Sequence, residues 1–440
     1  MKKIIALWGV LILLSGCGQI EQMSDNNDST NSDTTQANNI EEKAVTPTTS
    51  FEATRVSSES VTTADAGLFG NNKADDNYVL GMAVLRSLWQ DDQDSNHLIS
   101  PVSLSFALAM LQNGAEGDTK DQITNLLGEK DNLNEAYKNI MLYLTQDSNE
   151  DQALAIANSY WMRNDLTPKQ AFIDTLKAAY DAEVYISDFT SSYTVDNMNQ
   201  WVEEQTNGML KDTIDQLDPD TLSILMNTIY FKGTWVDQFE ENATSDQDFY
   251  VTEADTKTVS MMHQTSSFSY YEGEACQSII LPYIGGTEIV VILPKNTLDN
   301  YMQSATDEEL ATIVSGTEFE YSSVNLKLPK FTFEAKNDLN DILNSLGMID
   351  AFSKDTAEFG LIIEELQPVW VSRIFQNTKI DLDEVGTEAA AVTVIVTKTE
   401  EAMMETEEPL VMTCDRPFLF IIKDSVTDLP IFMGTYSGPM

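Results

Sequence analysis

Apolar residues recur at helical spacing from about residue 74, beginning with Tyr78, Leu80, Met82, Leu85 and Leu88. The stretch LISPVSLSFALAMLQNGAEG predicts a buried helix that begins at Ser100 and Pro101 and ends at Gly114. Another helix, in KQAFIDTLKAAY, follows Thr167, and the sequence TPKQ has the form of a capping box with Pro168 as its first helical residue. YTVDNMNQWVEEQTNGML predicts a further amphipathic helix.

The second half of the chain has a different pattern. Its apolar runs are short, rich in Val, Ile and Phe, and bounded by Gly, Pro or Asn, as in SIILPYIGGTEIVVILP, SVNLKLPKFTF, WVSRIFQNTKIDL and PFLFIIKD. These runs indicate strands. Helices early and strands late, without regular alternation of the two, predict an α+β fold with antiparallel or mixed sheets.

The N-terminus has the order of an export signal: two lysines, an apolar run, and then LSGC. The run is short for a membrane span, and its end resembles the lipobox of bacterial lipoproteins, whose cysteine becomes the lipid-modified first residue. We therefore expect residues 1–16 to be a signal peptide and Cys17 to carry a lipid anchor; the alternatives are a plain secretion signal and a single membrane helix. Residues 17–73 are polar and nearly free of apolar periodicity, which predicts a disordered tether before a domain at 74–440.

Charge and rare residues exclude several function classes. The chain has 71 acidic and 25 basic residues, so nucleic acid and heparin-like polyanions would be repelled. Its two histidines, His97 and His263, lie near no G-x-S-x-G motif, which argues against a Ser-His-Asp hydrolase and against catalytic zinc. We expect no catalytic residue, metal or cofactor. Cys276 and Cys414 do not form a disulfide framework, and their pairing stays open.

Five motifs, in order along the chain, resemble the serpin family: NHLISPVSLSFALAMLQNGAEGDT, LMNTIYFKGTW, LKLPKFTF, DEVGTEAAA and RPFLFIIKD with PIFMGTYSGP. The resemblance implies one domain with about nine helices and three β-sheets, and an exposed reactive-centre loop at about residues 384–409. It also implies that a protease cleaves this loop, which then inserts as a new strand in the largest sheet.

The implied function is irreversible suicide-substrate inhibition of serine endopeptidases, with the acyl-enzyme trapped by loop insertion. The protein would then not be an enzyme; its partners would be the target protease, in a covalent complex, and a membrane reached through the lipid anchor. We expect a monomer on the extracellular face of a bacterial membrane, or secreted. The alternative is a non-inhibitory serpin that acts as a binding or chaperone-like surface lipoprotein.

The loop sequence suits insertion. Residues 386–397 hold a single charge. In an extended segment, alternate side chains form two faces. The face expected to enter the sheet is small or β-branched, and consists of Thr387, Ala389, Ala391, Thr393, Ile395 and Thr397. The charge of Glu388 falls on the opposite face, and the hinge implied by the family motif comprises Glu384, Gly386, Thr387, Glu388, Ala389, Ala390 and Ala391.

Two groups of supporting residues also follow from the resemblance. Ser100, Ser103 and Asn227 match the shutter beneath the sheet, and Gln376 stands where many serpins have a histidine. Trp235, Lys330 and Glu384 match the breach at the top of the sheet, where the lysine and the glutamate are expected to pair.

The position of the cleaved bond is less sharply defined. Counted from the hinge it is Glu400-Glu401, with Thr399-Glu400 one step away, whereas counting back from RPFLFII gives Met403-Met404. The apolar residues upstream, at 394–397, suit an elastase-like or subtilisin-like protease, and glutamate at the bond also admits a Glu-specific one.

Overall fold

The computed structural model describes residues 73–128, 132–146, 152–217, 221–365, 368–387 and 408–439. These residues form nine α-helices: α1 (Lys73–Asp91), α2 (Pro101–Gln112), α3 (Gly117–Leu126), α4 (Leu133–Thr145), α5 (Gln170–Tyr180), α6 (Ser192–Gln205), α7 (Leu298–Ser304), α8 (Asp307–Ser315) and α9 (Asn340–Ser345). In the part of the chain that is described, no helix is long and apolar enough to cross a membrane.

The strands follow the predicted change of character towards the C-terminus. They are β1 (His97–Ile99), β2 (Gln152–Arg163), β3 (Glu183–Ser187), β4 (Ser223–Thr234), β5 (Ser245–Tyr250), β6 (Thr256–Glu272), β7 (Cys276–Pro282), β8 (Thr287–Pro294), β9 (Glu320–Pro329), β10 (Phe331–Asp338), β11 (Phe375–Leu382), β12 (Gly386–Thr387), β13 (Leu410–Thr413), β14 (Phe418–Asp424) and β15 (Pro430–Tyr436). The predicted α+β organisation is therefore present.

Strand pairing joins the described strands into two sheets where the resemblance implied three. The larger has the order β1-β15-β14-β8-β7-β6-β9-β13, with β5 also paired to β6. This sheet is continuous because the 17-residue strand β6 pairs with β9 along its middle and with β7 at its end. Strand β6 therefore connects the strands from β1 to β7 with β9 and β13. The smaller sheet has six strands, in the order β10-β11-β12-β4-β2-β3.

The starts of α2 and α5 test the two helix N-terminal signals that were predicted from the sequence. Helix α2 begins as predicted: the Ser100 side chain accepts a hydrogen bond from the Ser103 amide at 3.3 Å, and Pro101 follows in the first turn. The predicted capping box of α5 is wrong. That helix begins at Gln170, because Pro168 is held in a β-bridge with Ile363 and the Thr167 amide donates to the carboxylate of Glu365.

Strand β4 of the six-stranded sheet is packed between helices on both faces. On one side, buried side chains of α2 join the main core that lies between the two sheets. On the other side, Met226 of β4 packs with Met198 and Trp201 of α6 in a separate apolar cluster. The sheet interior is therefore closed on both faces, and a new strand could enter it only between two existing strands.

Candidate functional site

The predicted hinge residues Gly386 and Thr387 form the two-residue strand β12, which lies between β4 and β11 and is antiparallel to both. Gly386 pairs with Thr234, and Thr387 pairs with Gly233 on one side and with Leu382 on the other. Among the described residues, only this short strand pairs with both β4 and β11. The start of a central strand is thus already in place at one end of the six-stranded sheet, which is the smaller of the two sheets formed by the described strands, whereas the resemblance implied insertion into the largest sheet.

Close approach of two backbones explains the glycine at the first position. A Cβ atom on Gly386 would lie 2.0 Å from the carbonyl oxygen of Gly233, a distance that no real Cβ contact has. Because the obstacle is backbone, no side-chain movement relieves it. Gly386 is therefore required for β12 to lie against β4 in this register.

The side chain of Thr387 faces the interior of the molecule. It is 3% exposed, and its hydroxyl shares a 2.7 Å hydrogen bond with the hydroxyl of Tyr283. The Tyr283 ring in turn stacks on Trp235, with ring centroids 4.2 Å apart and planes 14° from parallel. The orientation expected for the first inserting residue is the one that the structure shows for Thr387.

The breach residues meet directly before β12. Trp235 follows the end of β4 and donates from Nε1 to the carbonyl oxygen of Asp383 at 2.8 Å. Lys330 lies between β9 of one sheet and β10 of the other, and its Nζ contacts Oε2 of Glu384 at 2.8 Å. The second carboxylate oxygen of Glu384 accepts a 2.8 Å hydrogen bond from Thr244. These contacts fix the chain at the residues from which the loop departs.

The two carboxyl groups at this turn have opposite pKa shifts. Burial alone would raise the pKa of Glu384, but hydrogen bonds from Lys330 and Thr244 outweigh it and hold that pKa below its ordinary value. The hydrogen bond to Glu384 also raises the pKa of Lys330. For Asp383 burial prevails and raises the pKa, although the carboxylate accepts bonds from the amides of Val385 and Gly386.

The shutter residues form a polar network between α2 and the middle of the sheet. The side-chain amide of Gln376, on β11, receives a bond from the Ser100 amide at 2.8 Å and donates to the Ser100 carbonyl at 2.9 Å. Ser103 donates to Asn227 on β4, and Asn227 donates to Asn158 on β2 at 2.5 Å. Gln376 therefore ties α2 to β11 through backbone atoms, whereas Ser103 ties α2 to β4 through side chains.

Sequence reasoning missed three residues of this site: Asn158, Thr244 and Tyr283. Asn158 had a readable signal, since it is an amide inside the apolar run ALAIANSYW, and it is fully buried with its Nδ2 on the carbonyl of Tyr180 at 2.8 Å. Thr244 and Tyr283 have no local signal, because their roles depend on partners far away in the sequence.

Several predicted residues lie outside the described part of the chain. They are Cys17, the hinge residues Glu388, Ala389, Ala390 and Ala391, and the candidates for the cleaved bond, Thr399, Glu400, Glu401, Met403 and Met404. Cys276 and Cys414 are described, and both are free, buried thiols. Within the described ranges, no group of His, Cys, Asp and Glu could hold a metal ion.

The ion pair of Glu384 predicts a pH-dependent stability. Because the pKa of Glu384 is lower in the folded state, its contribution is fully present above the unfolded-state pKa, near 4.3, and is lost as the pH falls through the folded-state value. We expect Glu384→Gln to lower the free energy of unfolding of the uncleaved protein by about 1 kcal/mol at pH 7 and to have a diminishing effect as the pH falls below the folded-state pKa. Urea unfolding between pH 3 and pH 8 measures this.

The matched control is Glu334→Gln, which removes a more exposed carboxylate that lies 3.9 Å from Lys336. That change should alter the unfolding free energy by less than about 0.5 kcal/mol at any pH. A difference between Glu384→Gln and the parent that did not vary with pH would contradict a stabilising charge at this position.

The comparisons with known proteins agree on one family. The family model "Serpin (serine protease inhibitor)" matches residues 75–439. A serpin-like protein of Methanosarcina acetivorans is 31% identical over 421 residues, covering 91% of this chain and 94% of its own. Alpha-1-antiproteinase S of Cavia porcellus is 30% identical over 369 residues, covering 81% of this chain and 88% of its own.

Solved structures show the same fold. The thermophilic serpin Tengpin, in its native state, matches with a TM-score of 0.77 and 29% identity, over 89% of this chain and 99% of its own. Human thyroxine-binding globulin, in complex with thyroxine, matches with a TM-score of 0.76 and 26% identity, over 84% of this chain and 99% of its own. This chain belongs to the serpin family.

Proposed function

We propose that this protein is an irreversible suicide-substrate inhibitor of serine endopeptidases. The observation that carries the proposal is the position of β12: Gly386 and Thr387 already pair with β4 and β11, and Thr387 faces inward. A strand begun in this register can be extended only by the residues that follow it, and these are the residues of the predicted reactive-centre loop. The name of the relative alpha-1-antiproteinase S agrees with an inhibitory role.

The chemistry belongs to the target protease and the loop backbone. The catalytic serine oxygen of the protease attacks the carbonyl carbon of the cleaved bond, the bond to the next nitrogen breaks, and that nitrogen leaves as a protonated amine. The loop is now an ester of the protease and is severed from β13. Inhibition requires that the loop insert, and carry the protease away, before water hydrolyses this ester.

Backbone pairing supplies the driving force. A strand flanked on both sides gains on the order of ten hydrogen bonds, each contributing about 0.5–1.5 kcal/mol net. The sum, roughly 10 kcal/mol, is comparable to the whole stability of an ordinary domain. The residues after Thr387 oppose this gain little, because Ala389, Ala390 and Ala391 are small and residues 389–397 carry no charge.

The target class follows from the residues before the cleaved bond. Val394, Ile395, Val396 and Thr397 suit the small apolar subsites of an elastase-like or subtilisin-like protease. We further propose that the protein is held outside a bacterial cell by a lipid on Cys17, with residues 18–73 as a flexible tether. The LSGC order and the polar composition after it support this placement.

Incubation with elastase, and separately with subtilisin, tests the inhibitory function. We expect a covalent band on a denaturing gel that contains both proteins, together with lost protease activity. A protease whose catalytic serine has been chemically blocked is the control and should give no such band. Complete loop cleavage with fully active protease and no covalent band would contradict inhibition and favour a binding role.

Thr387→Arg should convert the inhibitor into a substrate. An arginine at a buried, inward-facing position would place an unpaired charge in the sheet interior, so insertion should slow by orders of magnitude. The number of serpin molecules consumed per protease inactivated should rise about tenfold or more, while the cleaved bond stays the same. Glu388→Arg, at the next position along the chain and expected to face outward, is the control and should change this number much less. If the number of serpin molecules consumed per protease inactivated were equal for the two variants and the parent, insertion with Thr387 facing inward and Glu388 facing outward would be contradicted.

Cys17→Ser tests the anchor. We expect the parent to fractionate with membranes when expressed with its signal in a bacterial host, and the variant to be released, because the acyl chains provide the membrane affinity. Inhibition by the released variant should be unchanged. Equal membrane association of both proteins would refute lipid attachment at Cys17.

A further inference from the structure

A cleft of about 440 Å³ lies between strand β6 and the segment that follows β4. Its β6 wall contains three consecutive residues, His263, Gln264 and Thr265. Successive side chains of a strand point to opposite faces, so a cleft that is lined by all three reaches the edge of the strand. The cleft volume is within the range of ligand-binding pockets.

That edge of β6 has no partner strand at the level of the cleft. Strand β9 pairs with residues 261–270 on one side of β6. On the other side, β5 pairs with residues 256–261 and β7 with residues 269–272. In the described part of the chain, residues 262–268 are therefore paired on one side only, over about 20 Å of strand. An unpaired strand edge presents backbone donors and acceptors to which another extended chain can bind.

The opposite wall of the cleft is held in place by its own backbone contacts. Trp235 forms a β-bridge with Tyr283, and the Val236 amide donates to the carbonyl of Pro282 at 3.0 Å. The same wall includes Phe239, whose side chain is buried. Because both walls are fixed by backbone pairing, an occupant does not have to open the cleft to enter it.

The charged side chains of the cleft are acidic. Asp237 and Glu240 line it, and among the described lining residues there is no lysine or arginine. Lys327 lies opposite His263 in the ladder, but its ammonium donates to Gln247 on β5 at 3.0 Å. The cleft is therefore electrostatically complementary to a positively charged group.

One polar atom of the cleft wall has no hydrogen-bond partner. Oε1 of Gln264 is buried and accepts no hydrogen bond from the described residues. A buried acceptor that is left unpaired is unfavourable, and an N–H donor placed in the cleft would satisfy it. The occupant that fits best thus brings a positive charge, N–H donors and an extended backbone.

We propose that this cleft binds a short extended peptide that carries a lysine or an arginine. The peptide backbone pairs with the free edge of β6 as an added strand, and the basic side chain lies against Asp237 and Glu240. An N–H group of the peptide donates to Gln264. This binding activity goes beyond the proposed function, because it requires neither a protease nor a cut in the reactive-centre loop.

The cleft is also connected to the residues that precede β12. The Trp235 amide donates to the carbonyl of Val385, and the Phe239 amide donates to the carbonyl of Glu384, both at 2.9 Å. A peptide that orders residues 235–243 strengthens the contacts that hold this turn. At a saturating concentration it should therefore raise the melting temperature of the uncleaved protein by about 2–4 °C.

Titration of the uncleaved protein with the blocked tripeptide acetyl-Val-Arg-Val-amide, followed through the NMR signals of the peptide, tests the binding. The valines favour an extended backbone. We expect saturable binding, and the same tripeptide with glutamate in place of arginine should not bind. If the arginine peptide did not bind saturably, or if the glutamate peptide bound equally well, the proposal would be overturned.

Two N-methylated forms of the arginine peptide test the pairing with β6. In an extended peptide, the N–H group of the middle residue and those of the two outer residues point to opposite edges. Methylation of one of these two sets should weaken binding about tenfold, whereas methylation of the other should change it much less. Equal affinity for the parent peptide and both methylated forms would refute strand addition.

A pair of double variants tests the position of the basic side chain. Asp237→Asn with Glu240→Gln removes the two charges that line the cleft and should weaken binding of the arginine peptide about three- to tenfold. The matched control is Glu241→Gln with Asp248→Asn, which removes two exposed carboxylates that are not part of the cleft wall. The control should bind as the parent does. Equal losses in the two double variants would mean that the peptide is attracted by the overall negative charge, and would overturn the assignment.

Hydrogen exchange locates the bound peptide without any substitution. Saturating arginine peptide should slow exchange of the amides in residues 235–243 and 262–268 and leave those of α6 unchanged. Slower exchange confined to other parts of the chain would refute the cleft as the binding site. None of these measurements involves a protease. A protein that binds the peptide but traps no protease would refute the proposed function alone, and one that traps protease but does not bind the peptide would refute this inference alone.

Discussion

The contact between the backbones of Gly386 and Gly233 sets the geometry of the rest of the site. It is close enough that neither strand can shift sideways, and it brings the chain into the sheet at a single register. The residues immediately before it are held by a different kind of contact. Glu384 is bound by Lys330 and Thr244, and the carbonyl of Asp383 by Trp235. Because the segment is held at this end, it can extend as a strand of the sheet in only one direction and one register.

In the proposed mechanism the six-stranded sheet holds together before cleavage and separates after it, and the distribution of polar contacts suits both demands. Apolar packing fixes β4 between two helices, with α2 on one face and α6 on the other. The polar contacts between α2 and the two strands are hydrogen bonds of Ser100, Ser103, Asn227 and Gln376. Hydrogen bonds can be exchanged for equivalent ones at little net cost, whereas lost apolar burial cannot. The strands can therefore part where the polar network lies without unpacking the helices beneath them.

Local signals in the sequence were sufficient for the parts of the fold that local chemistry decides. Ser100 and Pro101 marked the start of α2, and the alternation after Gly386 gave the inward face of Thr387. The capping-box prediction was wrong at Pro168, because this residue forms a long-range β-bridge with Ile363 and does not begin a helix. For the same reason Tyr283 was missed: its position under Thr387 is fixed by stacking on Trp235, a contact between residues that are far apart in the chain. The continuity of the larger sheet through β6 likewise depends on its pairing with β7 and β9, which the sequence of β6 alone does not predict.

Under the proposed function, two features of the chain limit how far the loop can insert. Along the sequence, the stretch free of acidic side chains ends before Glu400, and four more glutamates follow by residue 408. In the structure, β4 begins at Ser223, the residue that would be matched to Thr397 if the register of β12 were continued. Burying a carboxylate without a partner costs several kcal/mol, so a strand that continued past Thr397 would lose more than one further backbone hydrogen bond returns. The charge pattern and the length of the sheet thus limit insertion together: the chain enters as far as uncharged side chains and a flanking strand are both available, and the glutamates that follow remain in water.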